Sequence, residues 1–71
     1  MTIDLILKAI RNELNISQET LARDLNVSYA TLNRWENNKA NPSRLAMDKL
    51  KNYCSSTKIS DNIIFELEKI R

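Results

Sequence analysis

Three serines, Ser17, Ser28 and Ser60, each follow a β-branched aliphatic residue and stand four positions before another apolar one: Ile16-Ser17 with Leu21, Val27-Ser28 with Leu32, and Ile59-Ser60 with Ile64. A serine hydroxyl accepts from the free N–H groups that open a helix, and an apolar pair bracketing that cap fixes the angle at which the chain enters. Helices are therefore expected over Gln18–Leu25, Tyr29–Asn37 and Asp61–Ile70. Ile3, Ile6, Leu7, Ile10 and Leu14 recur at helical spacing and leave Lys8, Arg11 and Asn12 outside, which predicts a first helix from about Ile3 to Glu13 with Thr2 as its cap. Leu5 falls off that stripe. Past the loop-forming run Asn38-Lys39-Ala40-Asn41-Pro42, Ser43 caps a fourth helix, whose inner face is expected to be Ala46, Leu50 and Tyr53 with Met47 and Cys54 at its edge. In the last helix Ile63, Leu67 and Ile70 share a face, Ile64 borders it, and Phe65 points the opposite way. No segment carries a strand pattern, so the fold class is all-α with five helices.

At 71 residues the chain suits a single domain spanning 1–71, near the size where one core only just offsets the ordering entropy. A separate catalytic domain does not fit. With no histidine, the usual general base and the commonest metal ligand are missing. With no glycine, a phosphate-cradling loop of the Walker or dinucleotide type is ruled out. Cys54, the one cysteine, lies in an apolar helical pattern and reads as core. Asp48 beside Lys49, and Glu66 three residues before Lys69, read as surface charge pairs. The expectation is no enzyme, no catalytic residue, no metal, no cofactor and no small-molecule ligand. One cysteine permits a reducing cytosol, and no apolar run approaches the ~20 residues that span a bilayer. A soluble, untargeted, cytoplasmic protein is expected, without a membrane role.

The segment from Ser17 to Lys39 carries more than helix signals. Between Leu25 and Ser28 the chain turns sharply, and Asn26 tolerates the positive φ such a corner demands. Ala22, four residues earlier, lets the flanking helices approach, while Leu32 and Trp35 supply the inner face of the second. A small residue, a turn former and an apolar anchor in this order are the local logic of a helix-turn-helix. The net charge of +2 is modest but uneven. Between Arg23 and Lys58 lie Arg34, Lys39, Arg44, Lys49 and Lys51 against only Asp24, Glu36 and Asp48, so a basic middle is available to meet phosphates.

Ile16 to Leu50 resembles the phage-repressor class of helix-turn-helix regulators, the Xre-like or Cro and CI type. The shared pattern is Ser17-Gln18-x-x-Leu21-Ala22, then Val27-Ser28-x-x-Thr31-Leu32-x-x-Trp35-Glu36-x-x-Lys39. Asn26 and Asn38 stand where that class usually has glycine. The resemblance implies a compact five-helix domain that binds double-stranded DNA and regulates transcription as an operator-binding repressor. It also implies that Gln18 holds a backbone phosphate and braces the reading helix, that Tyr29 and Ala30 point into the major groove with Arg34 one turn further, and that Arg11 and Glu36 form an ion pair between the first and third helices.

The residues support the same surface on physical grounds, because only an edge facing away from Leu32 and Trp35 can touch bases. Arg34 can donate twice to guanine O6 and N7, Asn33 can pair with adenine, and Ala30 can pack on a thymine methyl. Thr31, Asn37 and Lys39 are better placed for phosphates. One reading helix covers few base pairs, so a palindromic operator and a homodimer are expected, with Phe65 and Leu5, both off their helices' inner stripes, as its interface. Two other roles fit the same residues: an antitoxin or anti-repressor gripping a protein partner, or an accessory DNA-targeting module of a DNA-modifying system.

Overall fold

The computed structural model describes residues 1–70, and they form five helices: α1 (Ile3–Leu14), α2 (Gln18–Asp24), α3 (Tyr29–Glu36), α4 (Arg44–Ser56) and α5 (Asp61–Glu68), with no strand among the described residues. Each expected helix is present, with ends shifted by one or two residues.

In a chain without glycine, the left-handed corners among the described residues all fall to asparagine: Asn15, Asn26 and Asn38 hold φ of 55°, 59° and 59°. Each closes a helix with the same pair of reversed bonds. After α1, Ile16 N–H donates to the Arg11 carbonyl at 3.1 Å and Asn15 N–H to that of Asn12 at 3.3 Å. After α2, Val27 donates to Ala22 and Asn26 to Arg23, both at 3.0 Å; after α3, Lys39 donates to Arg34 at 2.9 Å and Asn38 to Trp35 at 3.2 Å. These bonds occupy carbonyls that the helix leaves open. In Asn15-Ile16-Ser17 and Asn26-Val27-Ser28 three residues therefore end one helix, anchor the corner and cap the next. Sequence reasoning named Asn26 but missed Asn15; the repeated Asn-aliphatic-Ser triplet was the signal.

Ser17, Ser28 and Ser43 cap as expected, their Oγ atoms accepting from Thr20, Thr31 and Ala46 N–H at 3.1, 3.0 and 3.2 Å. Thr2 and Ser60 do not. Both adopt the extended cap backbone, but neither side chain makes the cap bond. Ser60 instead donates its hydroxyl to Glu13 Oε2 and its N–H to Oε1, each at 2.8 Å, so a carboxylate at the end of α1 seats the start of α5. A charged acceptor makes stronger bonds than a neutral hydroxyl offers.

Ile6, Leu7 and Ile10 of α1, Leu21 of α2, Leu32 of α3, Leu50 of α4 and Leu67 of α5 are fully buried around one core. Helix α1 packs against both α3 and α5, α2 against α3, and α4 against α5. The expected inner face of α4 was rotated: Met47, Leu50 and Cys54 are buried, whereas Ala46 and Tyr53 are half-buried at its border. Tyr53 stays at the rim because its hydroxyl donates to Asp24 Oδ2 at 3.0 Å, tying α4 to the end of α2. Burial, with Asp24 adding to it, pushes the Tyr53 phenol up to about 12. Ile70 lies beyond the end of α5 and is half-buried. Among the described residues no helix is long and apolar enough to cross a membrane.

The Asn26 corner separates two kinds of replacement. Asn26→Ala places a side chain with no local polar compensation at positive φ and is expected to cost about 1 kcal/mol in urea unfolding, whereas Asn26→Gly changes stability by only a few tenths. Equal losses for the two would show that the side-chain amide, rather than the backbone conformation, is what matters there.

Candidate nucleic-acid interface

Helix α3 is fixed in rotation by what it buries. Leu32 is wholly enclosed, and Trp35 and Glu36 are 6% and 2% exposed. At about 3.6 residues per turn, those three positions leave Ala30 and Arg34 on the outward side, and both are exposed; Tyr29 is exposed at the start of the helix on the flank of Leu32 and Glu36, and Asn33 is half-buried. Arg34 has no ion-pair partner among the described residues, so its guanidinium is free to meet another acceptor.

Glu36 is a buried carboxylate and therefore needs a partner. Arg11 of α1 supplies it in a two-pronged contact, Nη2 donating to Oε1 at 2.6 Å and Nε to Oε2 at 2.8 Å. The Glu36 bond raises the Arg11 pKa above its ordinary value, partial burial opposing it. This is the contact that the family resemblance implied. It locks the last turn of α3 to the last turn of α1, so α3 cannot roll without breaking a planar pair of bonds.

Gln18, at the first position of α2, meets α3 directly. Asn33 Nδ2 donates to Gln18 Oε1 at 3.2 Å, and Asn37 Nδ2 donates to Asn33 Oδ1 at 3.0 Å. Three residues that sequence reasoning assigned separately, one to bases and two to phosphates, are thus brought into one network. Thr31 belongs to a different pair. Ser28 Oγ donates to Thr31 Oγ1 at 2.8 Å while accepting the Thr31 N–H, which leaves the Thr31 hydroxyl proton available. Lys39 is exposed just beyond the Asn38 corner.

Leu5 and Phe65 stand on the packed pair α1 and α5 and are 49% and 61% exposed. Lys69 Nζ sits 4.5 Å from the Phe65 ring centroid, so one face of that ring is shared with a cation. Elsewhere, burial pushes the Cys54 thiol up to about 11, which keeps it protonated at neutral pH and unsuited to nucleophilic attack. No group of three or more histidine, cysteine or acidic side chains able to hold a metal ion occurs among the described residues.

Compared with known protein families, residues 7–57 match the family described as helix-turn-helix. No curated protein and no solved structure matches the chain. The matched span runs from within α1 to just past α4 and contains both helices of the corner together with Arg11 and Glu36.

The Arg11–Glu36 contact is asymmetric, because Arg11 is 27% exposed and Glu36 only 2%. Arg11→Ala strands a buried carboxylate and is expected to cost about 3 kcal/mol in chemical denaturation. Glu36→Gln leaves an arginine that can swing into water, and its cost is expected to be smaller. The opposite order would mean that Glu36 finds water or another donor once Arg11 is gone.

Proposed function

Because the chain belongs to the helix-turn-helix family, a DNA-binding family, we propose that it acts as a sequence-specific transcriptional regulator that occupies a palindromic operator as a repressor. The single observation that carries this reading is the outward edge of α3, where Ala30 and Arg34 are exposed opposite the buried Leu32 and Trp35, with Tyr29 exposed in the first turn beside it. Arg34 is the residue we assign to guanine, with Ala30 against a thymine methyl and Tyr29 at the groove wall. The Asn33 amide, which the sequence pairs with adenine, makes two bonds within the protein, to Gln18 and from Asn37. Gln18, Thr31, Asn37 and Lys39 are assigned to phosphates flanking the reading helix.

A single α3 covers only a few base pairs, so two copies about 34 Å apart, one helical turn, are needed to read an operator with useful discrimination. The second copy is placed on Leu5 and Phe65. They are large exposed apolar side chains on two helices packed against each other.

Two experiments test this. Selection from random duplex DNA is expected to return a palindrome, and repetition with Arg34→Ala to relax one base pair in each half-site by about 1–3 kcal/mol. A loss spread evenly over all sequences would demote Arg34 to a phosphate contact, and binding that ignores salt would point to a protein partner instead. In sedimentation, Phe65→Ala is expected to shift a concentration-dependent dimer toward monomer. A wild-type chain that stays monomeric at high micromolar concentration would remove the interface.

A further inference from the structure

We propose that Asn33 is a positioning residue rather than a reader: with Asn37 behind it, it forms a directed amide relay that ends on Gln18 and turns the Gln18 amide NH2 out toward a DNA phosphate. The inference rests on the phosphate role assigned to Gln18 above and specifies how that role is set up.

A carboxamide has one donor end and one acceptor end, so a chain of amides has a direction. Here Asn37 donates to Asn33 at 3.0 Å and Asn33 donates to Gln18 Oε1 at 3.2 Å. With its oxygen held against α3, Gln18 keeps its Nε2 group without a protein partner among the described residues. A phosphate only accepts, so the group left over is the one it requires. The reversed chain would turn the Gln18 oxygen outward, where it would face phosphate oxygens. The relay also crosses from α3 to α2, and so makes the phosphate contact depend on how the reading helix sits. For Asn33 the cost is its own freedom. Reading adenine takes one donor and one acceptor aimed together into the groove, and here one bond at Nδ2 and one at Oδ1 fix the amide toward protein partners on α2 and α3.

The test combines a double-mutant cycle with side-chain NMR of the whole chain, using a mixed-sequence duplex so that only sequence-independent contacts register. Gln18→Ala and Asn33→Ala are each expected to weaken binding roughly 3- to 10-fold, and the double variant to be no weaker than Gln18→Ala alone. Asn37→Ala, at an exposed position, is expected to weaken it roughly 2-fold. Full additivity of Asn33→Ala with Gln18→Ala overturns the relay, as does an Asn33→Ala effect that appears as relaxed preference at one base pair in the selection. An unaltered affinity for Gln18→Ala is a different failure, because it removes the phosphate role itself. In the free wild-type protein, which needs no variant, the Asn33 and Asn37 side-chain amide protons are expected to exchange more slowly than those of Gln18. Slower exchange at Gln18 overturns the direction of the chain.

Discussion

Everything outward about α3 follows from what it hides. A helix turns as a rigid body, so enclosing Leu32, Trp35 and Glu36 on one side determines which residues face solvent. Apolar burial alone tolerates some rolling, because side chains can repack around a slightly rotated helix. The planar contact of Arg11 with Glu36 does not, since both bonds depend on orientation as well as distance. Packing thus selects the face, and the ion pair narrows the angle.

The corners show how a small chain manages without glycine. Asparagine carries a steric cost at positive φ that glycine lacks, but its short polar side chain tolerates the region, and the residue is less disordered than glycine in the unfolded state. Using the same corner after α1 and after α2 also keeps the connections to three and four residues. Connections this short leave little freedom in the angle between α2 and α3, and that angle sets where Gln18 stands relative to Asn33.

The acidic side chains clarify how a net charge of +2 can still present a basic edge. Glu36 is occupied by Arg11, Glu13 by Ser60, Asp24 by Tyr53, and Glu66 by Lys69 and the chain's amino terminus. Partnering with these groups holds the Glu66 carboxyl below its ordinary range. Much of the negative charge is therefore directed at structural partners, while Arg34 and Lys39 remain exposed beside the reading helix. A potential organised in this way acts on association rate and on phosphate contacts more than on fold.

Local pattern by itself determined the all-α class, the five helix starts, the Asn26 corner and the inward turn of Leu32 and Trp35, because caps, staples and periodicity act over only a few residues. The Arg11–Glu36 pair was legible through family resemblance, since nothing local links two charges that far apart in the chain. Only the tertiary structure decided that Met47, Leu50 and Cys54 rather than Ala46 and Tyr53 face inward on α4, because two neighbouring stripes of one helix look alike until a partner helix selects between them. It also decided that Ser60 gives its hydroxyl to Glu13, and that Gln18, Asn33 and Asn37 share their amides. Hydrogen bonds between helices depend on docking geometry, and no spacing within either helix encodes it.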